Sequence, residues 1–205
     1  TVWESLPIKL EDLTFTQKGR ERFKARERLA IGHYIRKIVR ESMSGSVGGP
    51  VEYFPPGAEG GLNKEQLDQI SELASHFETE FPKTKVQLAV PRNGSQPWKD
   101  VLAKDPKIEL VPLKELPWRQ AKEDQPDLIH SHVDSSFYED LSLLSYNFAT
   151  GTFQAEPDSE TWLKEYMNLG SKKKRLEKLN ALHFHVLEQG YVVPVRHSPF
   201  FAVGP

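Results

Sequence analysis

The 205-residue chain has no cysteine, which excludes disulfides, thiolate chemistry and cysteine-based zinc sites and leaves the compartment open. It has no excess of either charge, with 27 Lys and Arg against 29 Asp and Glu. So near a balance sets up no field to draw in nucleic acid or an anionic membrane. No run of about 18 apolar residues occurs, so no membrane-spanning helix is expected. The start, Thr1-Val-Trp-Glu4, has neither the basic nor the apolar region of a signal peptide. Opening on Thr1 instead of methionine, the chain is expected either to have lost a leader or to be a piece of a longer protein. G-x-G-x-x-G, Walker, H-E-x-x-H and G-x-S-x-G patterns are all missing. The glycines from Gly45 to Gly49 follow a helical pattern instead of opening one, so they do not aim helix N–H groups at a phosphate.

What is present is a βαβαβ pattern between Val86 and Val133. Val86-Gln-Leu-Ala-Val90, Ile108-Glu-Leu-Val-Pro112 and Asp127-Leu-Ile-His-Ser-His-Val133 are short β-rich runs. Helix-sized segments opening at Pro97-Trp98 and Leu116-Pro117-Trp118 separate them. Such a unit builds parallel strands with helical crossovers, and ligands of such sheets sit at the carboxyl ends of the strands. The third run ends in His130-Ser-His-Val-Asp134, so a ligand contact is sought there.

Around this unit, Leu13-Thr-Phe-Thr16 alternates like a strand ended by Gly19. A single amphipathic helix is predicted from Arg20 to about Met43, with its Arg and Lys on a solvated face. The long Gly- and Pro-rich stretch to Gly61 carries Tyr53 and Phe54, which either face a ligand or staple the loop to the core. Asn63-Lys-Glu-Gln66 reads as a capping box opening a helix to about Thr79. Further helices are predicted from Phe137 to Phe148, from Asp158 toward Asn168, and from Ser171 to a C′ glycine at Gly190. Tyr191 to Val195 and Phe200 to Val203 read as closing strands. At 205 residues one domain is expected.

Two histidine pairs stand out. His130 and His132 share a strand face, as two ligands of one metal would, but a stable site needs three or four ligands with support behind them. His183 and His185 diverge by about 200° on a helix and cannot share an ion. Lys172-Lys-Lys-Arg175 opens a helix, where positive charge opposes the dipole, and reads as solvated surface.

The order of these segments resembles the second lobe of the family 5 extracytoplasmic solute-binding proteins, the oligopeptide- and nickel-binding subunits of ABC importers. Their strand followed by R-x-A-L-x-x-A-I-D-R-x-x-I is similar to Phe15 and then Ala25-Arg-Glu-Arg-Leu-Ala-Ile-Gly-His-Tyr-Ile-Arg-Lys-Ile38. Their Gly-Pro loop is similar to Ser46-Val-Gly-Gly-Pro50 and Phe54-Pro-Pro-Gly57. Their D-L-x-x-x-G-W-x-x-D places its two acids at Asp127 and Asp134, and P-I-I-P-L-Y-H-S is close to Tyr191-Val-Val-Pro-Val-Arg-His-Ser198. The chain departs at Gly32, where the family has Asp, at Ser131, where it has Trp, and in a shorter stretch from Trp98 to Ile108.

The resemblance implies a periplasmic-binding-protein-like α/β lobe over residues 1–205, with a mixed, mostly parallel sheet and helices on both faces. Residues 191–205 would lead back toward a first lobe that is absent here. It implies no catalysis and no cofactor, a peptide or similar solute as ligand, a membrane ABC permease as partner, and a membrane-anchored, periplasmic or extracytoplasmic protein. Asp134 matches the Asp that pairs with a ligand's α-amino group. Ser131, His132, Tyr53 and Phe54 are the further candidate contacts, while Asp134 as a helix N-cap is the structural alternative. Two other readings stay open: the sensor lobe of a transcription regulator, and a metal-dependent enzyme using His130, His132 and Asp134.

Overall fold

A computed structural model describes residues 8–42, 54, 60–75, 79–91, 97–115, 119–135 and 159–199. The described part of the chain starts with β1 (Ile8–Phe15), whose Leu13 and Phe15 point into the core from one face. Thr16 caps the short α1 (Gln17–Arg22), its hydroxyl accepting from the Gly19 amide. Gly19 therefore lies inside a helix instead of ending the strand. Its place is set by close approach, since a Cβ there would stand 1.9 Å from the Asp127 carbonyl oxygen.

The single helix predicted from Arg20 is divided, because Phe23 adopts an extended conformation and buries its ring. Arg28 holds the break closed, donating to the carbonyls of Phe23, Arg20 and Gln189. The helix restarts as α2 (Ala25–Glu41), where Glu27 accepts from the Lys24 amide at 2.8 Å. Ile31, Ile35 and Val39 form its buried stripe.

α3 (Lys64–Ser75) opens with the full reciprocal capping box, Asn63 N to Gln66 Oε1 and Gln66 N to Asn63 Oδ1, both 3.0 Å. β2 (Val86–Val90), α4 (Pro97–Ala103) and β3 (Ile108–Pro112) follow as the pattern predicts. The second crossover differs. Between Leu113 and Asp127 the described residues hold no α-helix, only a 3-10 turn at Lys122–Asp124. Pro126 denies the segment an amide donor and biases Gln125 before it away from helix. β4 (Leu128–Ser135), α5 (Ser159–Asn168), α6 (Lys172–Glu188) and β5 (Val192–Pro199) complete the described chain. Gly190, with φ of 63°, closes α6 as the sequence requires.

The five strands lie in the order β3-β2-β4-β1-β5. β2 pairs with β3 and β4 in parallel, while β1 pairs antiparallel with both β4 and β5. Four strands thus run one way and β1 the other, so the sheet is mixed as expected, but with two parallel and two antiparallel pairings it is not mostly parallel, because β1 lies between β4 and β5. α2 and α4 cover one face around Leu13, Phe15, Leu88, Trp98, Leu128 and Val193. The residue before it, Val192, points to the other side and joins a second core with Phe54, Ile70, Trp162, Tyr166, Leu179 and Val186. Helices α3, α5 and α6 supply most of that core.

The α/β lobe with helices on both faces is as the sequence indicates. No helix among the described residues is long and apolar enough to cross a membrane. The predicted helix from Phe137 to Phe148, the strand from Phe200 to Val203 and Tyr53 lie outside the described residues.

Candidate functional site

The carboxyl ends of β4 and β5 and the amino end of β1 finish together, with Ile8 opposite both Ser135 and Pro199. β2 pairs with β4 at Leu88↔Leu128 and Ala89↔Ile129. Beyond Ile129, β4 runs on with β1 beside it and β5 beyond that. Ser131, His132 and Asp134 fall in this three-stranded section, opposite Asp12, Glu11 and Lys9 of β1. Only their backbone belongs to the described structure. Asp134 was expected just past the strand. It lies inside β4 instead, because β1 continues to Ile8 and gives β4 a partner as far as Ser135.

His130 is 4% exposed, with Nε2 3.6 Å from Glu11 Oε2 and its ring 4.8 Å from that of Trp98. Neither of its nitrogens makes a hydrogen bond. Among the described residues no group of three or more His, Cys, Asp or Glu could hold a metal ion. The other histidine pair diverges as its spacing requires. His183 is buried beside Phe54, at 4.4 Å between rings, with Nδ1 3.3 Å from Gly60 O. His185 meets the edge of Tyr191. Phe54 itself is 1% exposed in the second core. That is the place of a staple.

Sequence reasoning missed the charges buried at this end. Glu11 and Asp12 are consecutive on β1 and both buried, Asp12 accepting from the Thr14 hydroxyl at 2.9 Å. The signal was two acids inside a run otherwise fit for a strand. The Arg and Lys of α2 do not all lie on a solvated face either, since Arg28 and Arg36 are buried. Arginine stems pack along apolar surface while their heads reach carbonyls. Arg40 Nε donates at 2.8 Å to Val195 O, at the bulge where Glu11 pairs with Arg196 and Asp12 with Pro194. Burial, helped by Arg40, pushes Arg36 down to about 10. Burial, then Arg36 and Arg40, pushes His33 down to about 3, so it is neutral at ordinary pH.

A groove of about 610 Å³ lies elsewhere, where the start of α2 meets the ends of α3 and α6, lined by Arg26, Glu72, Leu73, Glu80 and Glu188 among others. It contains none of the candidate residues.

No family model matches the sequence, and neither does any curated protein. Solved structures do match. The Escherichia coli murein tripeptide binding protein MppA is 17% identical, with 97% of this chain on 44% of that one at a TM-score of 0.60. The clavulanic acid biosynthesis oligopeptide binding protein 2 is 15% identical, with 96% on 42% at 0.68. A peptide-binding protein of a peptide ABC transporter is 16% identical, with 93% on 99% at 0.59. This chain therefore spans less than half of the first two and nearly all of the third. At such identities the likeness establishes the fold, and the chain folds as an α/β lobe of the periplasmic-binding-protein kind.

Proposed function

We propose that this chain is the ligand-binding lobe of an extracytoplasmic solute-binding protein serving an ABC importer, and forms one wall of a cleft for a peptide or similar solute. The observation that carries this reading is the superposition of nearly the whole chain on less than half of proteins described as peptide binding. The topology suits it. β1 and β5 end side by side at Ile8 and Pro199, so a second lobe attached through them would face the end of the sheet that holds Asp134. In α/β sheets ligands bind beyond the carboxyl ends of the strands.

Asp134 is the residue we assign to the ligand's ammonium group, with Ser131 and His132 beside it on β4 and Tyr53 as a further candidate contact. A charge-assisted hydrogen bond there contributes about 1.5–3 kcal/mol once the cleft excludes water. The chemistry is recognition, not turnover. One wall by itself leaves half of a ligand's contacts unmade and the site wet.

Calorimetry against a random peptide pool tests the reading, run on this chain and on the full product of its gene. The chain alone should bind more weakly than about 1 μM, roughly 8 kcal/mol, and the full product more tightly. A full product that takes up no peptide would remove the proposal. Tight binding by this chain alone would show that the lobe holds a complete site.

A further inference from the structure

The turn between α5 and α6 carries a run of charge that neither the fold nor the proposed cleft uses. Lys172, Lys173, Lys174 and Arg175 open α6, and no acidic residue occurs between Glu165 and Glu177. The three lysines are exposed. Ser171 before them makes no side-chain capping hydrogen bond, and the first turn of the helix holds no acid. Positive charge at a helix amino end opposes the dipole, so these side chains work against the helix that carries them.

Their surroundings do little to offset this. Lys173 meets Glu177 at 3.9 Å with both side chains in solvent, an ion pair of little worth. Arg175 Nη1 donates to Leu169 O at 2.8 Å, which holds the guanidinium against the turn. The turn itself projects, since a Cβ on Gly170 would meet nothing within 4 Å. Met167, in the last turn of α5, is 60% exposed.

We propose that this turn docks on an anionic membrane surface, with its lysines among the lipid phosphates. Charge complementarity and the kind of cation select the occupant. Protein–protein interfaces are depleted in lysine and enriched in arginine and aromatic side chains. Here three lysines stand with one arginine that is already engaged by its own chain, and the exposed apolar neighbour in sequence is a methionine. Flexible ammonium groups on a projecting turn suit a fluid layer of phosphates, and an exposed apolar side chain suits the boundary beneath it. The attraction acts over about a Debye length, roughly 8 Å at physiological salt. The near balance of charge over the whole chain removes a long-range pull but leaves this short-range one intact. The proposal stands apart from the peptide reading.

The experiment is co-sedimentation of this chain with vesicles of phosphatidylcholine alone and of an equimolar mixture with phosphatidylglycerol. The chain should sediment with the mixed vesicles, less so as salt rises, and not with phosphatidylcholine. Lys173→Gln combined with Lys174→Gln should weaken the partitioning about thirtyfold, the equivalent of about 1 kcal/mol for each lysine near the surface. The double variant relieves the amino end of α6, so its melting temperature should hold or rise and the lost binding is not lost folding. Equal sedimentation of the unaltered chain with both kinds of vesicle would overturn the proposal, as would a double variant that binds like the unaltered chain. Binding to polyglutamate or double-stranded DNA that is tighter than to the mixed vesicles, at equal negative charge, would give the turn to an acidic protein or a nucleic acid and overturn the membrane as its partner.

Discussion

Asp127, just before β4, and His130, within it, stand three residues apart, both buried, and the protein treats them oppositely. Every polar atom around Asp127 is engaged. Its carboxylate accepts from Arg22 Nη1 at 2.7 and 3.0 Å and from the Gln87 amide at 2.8 Å. Its amide donates to Gln87 O, and its carbonyl accepts from the Thr16 amide. His130 has an aromatic neighbour and one carboxylate just beyond hydrogen-bond reach. A fully connected polar network rigidifies, whereas a partly satisfied one is where a structure keeps a choice. The Asp127 network ties the amino end of β4 to α1 and β2.

The comparison breaks first at Asp127. Replacing it with Ala leaves Arg22 without its partner and strands the Gln87 amide, and removing one member of a buried pair typically costs about 3–5 kcal/mol. Arg22 is partly exposed, so water recovers some of its charge and the lower figure, about 3 kcal/mol, is expected. Urea denaturation reads it. A loss below about 1 kcal/mol would mean that the amino end is no more firmly built than the other.

The second prediction uses pH, through His33 on α2. His33 sits near 3 in the folded chain against 6.5 when exposed, so the unfolded state takes up its proton first. Its contribution is complete above about pH 6.5 and is lost as pH falls toward 3, at up to about 1.4 kcal/mol per pH unit. His33→Gln should flatten the fall in urea-measured stability below pH 6.5. A variant with the same slope would show that His33 opens to water before the chain unfolds.

What the sequence disclosed and what it hid divide along similar lines. The capping box at Asn63, the C′ glycine at Gly190 and the strand periods of β2 and β3 are local signals, readable because each is satisfied within a few residues. The break at Phe23 carries no Pro or Gly and depends on Arg28 reaching Gln189, far along the chain. Gly19 and Gly32 looked like punctuation and a family departure; both are close approaches, Gly32 because a Cβ would stand 2.3 Å from Val193. The carboxyl-end cluster was hidden because its acids come from β1, its histidine from β4 and its arginines from α2. Pairing alone brings these together. Asp134 was misplaced by the same cause, since only the length of β1 tells how far β4 runs.

The smallest expected change in stability belongs to Asp134, near the far end of β4. Asp134 stands one residue inside the strand end, its backbone opposite that of Lys9, and a cross-strand pair of opposite charges contributes about 1 kcal/mol or less. Asp134→Asn keeps the size and hydrogen-bonding capacity of the side chain while removing the charge that would meet a ligand's ammonium group. In the full gene product the melting temperature should therefore stay nearly constant while affinity for a peptide falls about tenfold, the equivalent of about 1.4 kcal/mol. Thermal melting and calorimetry on the same sample report the two quantities. A large fall in melting temperature would make Asp134 a second Asp127 and erase the contrast between the ends of β4. An unchanged affinity would keep the contrast but take Asp134 out of the cleft, leaving Ser131 and His132 to define its wall.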